Sequence, residues 1–201
     1  MNYLAHALLA EPHRYSLIGN IAGDLVKGPL ESRSLHPLVI DGIRRHRRVD
    51  ALTDTHPRHQ QLRALFPGSH RRVGGIVLDV LFDYFLYRNW ARFSSWPEGL
   101  FREGVYAVLR EDPAPMPEEL ATVAPHWVAG DWLRVYETLD GVQSVLQRME
   151  RRSKRVLPLR EAFVAVLDCR ELLEAGFIEI FSDVQSALDG LRPAASAGLR
   201  E

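Results

Sequence analysis

The sequence predicts an all-α fold, a single-domain helical bundle that closes on a long C-terminal helix. Three observations support this. Apolar residues recur at helical spacing along most of the 201 residues. The Asp-Gly pairs beginning at Asp41, Asp140 and Asp189 join no two short alternating runs, as a hairpin would require. Pro37 and Pro57 border one periodic stretch, one placed to start a helix and the other to stop it. A chain of this length can bury a real core as one domain, here 1–201 with roughly 192–201 frayed.

The expected helices follow in order. NYLAHALLA gives the first, over 2–10. SLIGNIAGDLV gives the second, over 15–27, with Leu25 to Pro29 reading as its end. HPLVIDGIRRHRRVDALTDTHP, between its two prolines, gives a third over 37–55, and a fourth follows at 58–66. GGIVLDVLFDYFLY, the most apolar stretch of the chain, anchors a fifth over 70–92, and a sixth spans 98–110. EDPAPMPEELATVAP carries four prolines and reads as an irregular connection: a lid, a partner-binding loop or a crossing between helices. Helix resumes over 128–151, with Gly141 as the candidate break. PLREAFVAVLDCRELLEAGFIEIFSDVQSALDGL reads as one amphipathic helix over 158–190, and PAASAGLRE as its frayed tail.

Composition narrows the class. With 46% hydrophobic and 25% charged residues the chain reads as an ordinary globular protein, and its net charge of -1 argues against general nucleic-acid affinity. The charge is uneven, however. Arg33 to Arg72 holds nine arginines against three acids (Asp41, Asp50, Asp54), together with five of the eight histidines. Such a segment suits an acidic or phosphorylated partner, or is a solvated face paired with acids elsewhere. The single Cys169 excludes an internal disulfide and a Cys-rich zinc site, and reads as a small core residue. No apolar run is long enough to span a membrane, and MNYLAHALLAEPHRYS lacks the marks of a signal peptide, so a cytoplasmic protein is expected.

Polar groups then stand where a bundle should be apolar. His6 is the one group of NYLAHALLA that titrates near neutral pH. Asn20 and Asp24 lie four apart on the second helix, and His46, Asp50 and Asp54 form a stripe at successive fourth positions on the third. Asp79 and Asp83 repeat the spacing inside the most apolar run. Each has a structural alternative: His6 as a hydrogen-bonded core residue, Asp24 as a cap, Asp50 and Asp54 as partners of Arg47 or Arg58. Asp79 and Asp83 are harder to explain so, because Arg72 and Arg88 lie outside the apolar run. Two carboxylates one turn apart call for a nearby cation. Helices that aim carboxylates and imidazoles inward are a common way to build a metal site, and an oxygen and nitrogen set suits manganese, magnesium or iron. No GxSxG elbow, Gly-rich phosphate loop or HExxH appears.

Taken together, MNYLAHALLA, SLIGNIAGDLVKG, GIRRHRRVDALTDTHP, RRVGGIVLDVLFDYFLYRNW and WLRVYETLDGVQSVLQRM resemble the bacterial acyl carrier protein phosphodiesterases, from Met1 to about Arg155 and more weakly beyond. The resemblance implies an all-α fold distantly related to the HD-domain phosphohydrolases. It also implies manganese-dependent hydrolysis of the phosphodiester that joins 4'-phosphopantetheine to a serine of holo-acyl carrier protein. Carried over by motif, the site residues are His6, Asp24, His46, Asp50, Asp79 and Asp83. The family often has histidine directly after the second aspartate of the LDVLFD run, where this chain has Tyr84.

The expected chemistry follows. Asp24, His46, Asp50, Asp79, Asp83 and His6 hold one or two divalent ions, Mn²⁺ first with Mg²⁺ or Fe²⁺ as alternatives, and an activated water attacks phosphorus in line. Asp24, His46 and Asp83 are the candidate catalytic groups. Arg44, Arg45, Arg47, Arg48, Arg71 and Arg72 are candidate contacts for the acidic carrier protein or the phosphate, although the first four wrap around their helix and cannot all face one partner. Neither nucleic acid nor membrane is an expected partner. The competing readings are an HD-like phosphohydrolase of a small phosphoester or nucleotide, a non-catalytic carrier-protein binder, and a structural helical adaptor.

Overall fold

A computed structural model describes residues 1–111 and 113–190. Among the described residues every regular element is helical. The α-helices are α1 (Tyr3–Leu8), α2 (Arg14–Ala22), α3 (Pro37–Thr55), α4 (Pro57–Ala64), α5 (Gly74–Arg88), α6 (Trp90–Phe93), α7 (Glu98–Arg110), α8 (Glu118–Ala129), α9 (Leu139–Arg152), α10 (Leu159–Val164) and α11 (Arg170–Asp189). Short 3-10 turns stand at Gly68–Arg72, Trp132–Glu137 and Leu167–Cys169. The all-α expectation holds, and α11 is its long C-terminal helix. The expected frayed tail over 192–201 lies outside the described residues.

The apolar run of α5 makes it the axis of the bundle. Val77, Leu78, Phe82, Phe85 and Leu86 are fully buried, and α1, α4, α9, α10, α11 and the Trp132–Glu137 turn all pack on this helix. On one flank α2 and α3 make the most extensive helix pair. They approach backbone to backbone, because a Cβ on Gly19 would lie 2.2 Å from the Val39 carbonyl oxygen and one on Gly42 would lie 2.5 Å from that of Ser16. This contact brings the end of α2 beside the middle of α3.

The His-Pro pairs explain two helix starts and two histidines. Pro37 and Pro57 occupy the first turns of α3 and α4, where a missing N–H is harmless. The rings of His36 and His56 accept from the Leu38 and Arg58 amides as caps.

Three expectations need correction. The proline-rich connection contains a regular helix, α8, which starts after Pro117 and carries Pro125 inside it. Burial of Leu120 and Ala124 against the bundle outweighs the one lost N–H and the local crowding of an interior proline. The helix expected over 128–151 is interrupted well before Gly141. Asp131 takes a left-handed conformation (φ 46°), accepts from Arg102 and from the Tyr106 hydroxyl, and turns the chain into the 3-10 segment. Thr138 then caps α9 through the Gly141 amide. Finally, the helix expected over 158–190 is split into α10 and α11. The break at Val166 lets α10 lie against α9 and α5 while α11 lies against α3, α4 and α5. One straight helix would not reach both sides. Cys169, at this join, is half-buried and packs against the core.

Candidate active site

The paired aspartates of α5 divide their work. Asp83 is fully buried, and both its oxygens accept from the first turn of α1: Leu4 N–H at 2.8 Å and Ala5 N–H at 3.0 Å. It closes amides that a helix start leaves open. Burial pushes its carboxyl up to about 7, against the pull of these two amides. Asp83, expected as a metal ligand and catalytic group, here uses one lone pair of each oxygen to hold α1 on α5. Asp79, one turn earlier and part-exposed, instead meets the Met1 ammonium at 3.0 Å.

By fixing α1, Asp83 delivers His6 to the flank of α3. The rings of His6 and His46 stack with centroids 3.7 Å apart and planes 18° from parallel. Asp50 bridges them, with Oδ1 3.1 Å from His6 Nε2 and Oδ2 3.1 Å from His46 Nε2. Asp24, just past the end of α2, approaches His46 Nε2 at 3.6 Å. The chain takes this path because a Cβ on Gly23 would lie 2.1 Å from the His46 ring. On the ring's other side, Nδ1 lies 2.8 Å from the Asn20 carbonyl oxygen, so Nδ1 carries a proton and Nε2 faces the carboxylates. Asp54, last of the α3 stripe, is exposed and lies 4.0 Å from His59 Nδ1, outside this group.

The electrostatics mark a strongly coupled site. Burial alone would lower the His46 pKa, but hydrogen bonds to Asp24 and Asp50 outweigh it and raise it to about 9. His6 is drawn down to about 4, mainly by burial, and is neutral at pH 7. The His46 hydrogen bond holds Asp24 below the usual carboxylate range. Burial opposes ionisation of Asp50, but its bonds to His46 and His6 win and keep it ionised. The Met1 ammonium, 3.2 Å from Asp50 and 3.0 Å from Asp79, has its pKa raised to about 11 because these carboxylates overcome its burial.

These residues fit a divalent ion. Ligand atoms of His6, His46 and Asp50 all lie within 4.8 Å of one another. His46 presents the right nitrogen, and Asp50 and Asp79 already hold a cation, the Met1 ammonium. The donor set is imidazole and carboxylate, with no thiolate.

Two clefts meet at Asp24. The smaller, about 330 Å³, is lined by Asp24, His46, Asp50, Lys27 and Arg47. The larger, about 480 Å³, runs past Tyr3, Trp127, Trp132 and Tyr136 and carries Arg148 and Arg152. The sequence reading missed Lys27, the aromatic wall and these last two arginines. No local motif joins positions so far apart in the chain, although WLRVYETLDGVQSVLQRM had drawn attention as a block. Of the expected arginines, Arg47 lines the small cleft, and its guanidinium donates to the Val26 and Gly28 carbonyls. Arg45 is tied to the Leu9 carbonyl, and Arg44 pairs with Asp41 and Glu31. Arg48 is exposed; Arg71 and Arg72 belong to the 3-10 turn before α5 and line neither cleft. Tyr84 is buried, with Arg88 5.8 Å above its ring and Glu174 beyond. Tyr84, the departure noted in the LDVLFD run, packs against Phe85 and lines neither cleft.

Comparison with known proteins gives the family. A family model described as acyl carrier protein phosphodiesterase matches residues 1–184. Proteins named acyl carrier protein phosphodiesterase from Escherichia coli O6:H1 and O45:K1 are 36% and 37% identical over 186 residues, covering 90% of this chain and 94% of each relative. No solved structure gives a significant match. His6, Asp24, His46 and Asp50 all fall within the matched span, and the chain belongs to the acyl carrier protein phosphodiesterase family.

Proposed function

We infer that this protein is a hydrolase acting on holo-acyl carrier protein. It cleaves the phosphodiester between 4'-phosphopantetheine and a serine of the carrier, giving apo-carrier protein and 4'-phosphopantetheine. The observation that carries this reading is Asp50 bridging the stacked rings of His6 and His46, beside Asp24 and at the mouth of a small polar cleft.

His6, His46 and Asp50 would hold a divalent ion, Mn²⁺ first and Mg²⁺ or Fe²⁺ next, with Asp24 and Asp79 beside them. Such an ion supplies a Lewis acid for the phosphoryl oxygen and acidifies a water. The chain's own groups do the rest. The Asn20 carbonyl keeps a proton on His46 Nδ1, so Nε2 stays directed at the site. Arg47, pinned by two carbonyls, and Lys27 offset the charge of the phosphodiester as it enters the small cleft. Arg48 and Arg44, exposed on the outer face of α3, suit docking of an acidic carrier protein. The whole chain acts as one domain, without an expected nucleic-acid or membrane partner; no helix of the described residues is long and apolar enough to cross a membrane.

Mass spectrometry of holo-carrier protein incubated with the enzyme and Mn²⁺ tests this directly. Loss of the prosthetic group, abolished by EDTA and reduced at least about a hundredfold by His46→Ala, is expected. Folded protein that leaves holo-carrier protein intact but hydrolyses a nucleotide would favour the small-phosphoester reading instead.

A further inference from the structure

The larger cleft at Asp24 has a chemistry that the metal group does not use. Its aromatic wall is already ordered: Tyr3 meets Trp127 with ring centroids 4.9 Å apart, and Trp127 meets Trp132 at 5.1 Å. One of its lining residues, Trp132, keeps a buried N–H donor, Nε1, with no hydrogen-bond partner. A buried donor left unpaired costs about 1–3 kcal/mol, so it marks a place for an acceptor along the cleft. Asp24 lines both this cleft and the small polar one, so a ligand can have one end at His46 and Asp50 and the other between the aromatic rings.

We propose that this cleft is the binding channel for the pantetheine arm of the substrate. The arm is uncharged and flexible, carries two amide carbonyls as acceptors, and has an apolar dimethyl centre. Those features match an orphan donor set in an aromatic wall. A volume of about 480 Å³ is within the range of ligand pockets and suits a molecule of this size. The proposal rests on the reading under Proposed function, since the phosphate at the end of the arm must reach the imidazole and carboxylate group. Substrate discrimination would then come in part from the arm itself, because a site built to donate to a carbonyl rejects ligands that lack one.

Calorimetric titration of the intact protein with pantetheine, 4'-phosphopantetheine, inorganic phosphate and AMP tests the proposal. Pantetheine alone should bind and compete with 4'-phosphopantetheine. Trp132→Phe keeps a ring and deletes the N–H, and should weaken both ligands by about five- to tenfold while leaving phosphate unchanged. Met149→Trp, at a part-exposed position lining the cleft, should weaken them through crowding alone. In turnover, Trp132→Phe should raise KM for holo-carrier protein with little change in kcat. Absence of pantetheine binding, unaltered affinity in both variants, or tighter binding of AMP than of 4'-phosphopantetheine would overturn the channel assignment. Conversion of holo- to apo-carrier protein by the wild type is followed in parallel, so loss of the channel alone is distinguished from failure of the hydrolase reading.

Discussion

Asp83 shows how far a single residue's role depends on what lies opposite. Its carboxylate is as buried as any group in the protein, yet both oxygens meet amides of α1, and that contact places His6. Its pKa of about 7 when folded, against 3.8 when exposed, means that the folded state holds the proton more tightly between those values. The stability contributed by this group therefore falls as pH rises from about 4 to about 7, then levels. Replacement Asp83→Asn leaves one amide poorly matched and should cost about 1–3 kcal/mol at pH 5 by urea unfolding. The gap between wild type and variant should narrow by pH 7.5, and a gap independent of pH would contradict the assignment. The sequence showed that Asp79 and Asp83 needed partners, but not that the partners differ. An amide seventy-odd residues away leaves no trace in local spacing, and the Leu4 N–H that donates to Asp83 is such a contact. His6 and Asp24 were legible because each broke an apolar pattern, and His46 and Asp50 because they share one helix face four residues apart.

Among the elements, α2 and α3 carry the site, and their approach depends on Gly19 and Gly42. A methyl at Gly42 would stand 2.5 Å from the Ser16 carbonyl oxygen, too close without movement of one helix. Gly42→Ala should therefore destabilise by about 1–3 kcal/mol, the usual range for overpacking, and should shift Asp24 away from His46. Thermal unfolding with and without Mn²⁺ reads both effects; an unchanged melting temperature would show that the helices part freely. Helix boundaries set by proline were readable from sequence, α3 most clearly. Helix breaks were not. Asp131 ends one helical run by a side-chain contact to Arg102 and Tyr106 from α7, and the break at Val166 follows from packing on two sides of the bundle. In α8 the burial of Leu120 and Ala124 overrode the local signal of Pro125.

For the whole molecule, a net charge of -1 conceals a segregated surface. The Arg-rich segment proved partly structural: His36 and His56 cap helices, Arg45 and Arg47 bind carbonyls, and His59 is fully buried. What remains on the outside of α3, above all Arg48, is the part suited to an acidic protein. Arg48→Glu should raise KM for holo-carrier protein about three- to tenfold, with an effect that shrinks at high ionic strength as charges are screened. Equal KM at low and high salt would remove α3 from the docking surface.

The central claim is that Asp50, with His6 and His46, holds the cation on which hydrolysis depends. Calorimetric titration with Mn²⁺ of the wild type, Asp50→Asn and Asp54→Asn measures it most directly, since the two aspartates stand one turn apart on α3. Asp50→Asn should lose affinity by more than about a hundredfold, while exposed Asp54→Asn should match the wild type. Undiminished Mn²⁺ binding by Asp50→Asn, or equal loss in both variants, would contradict the account.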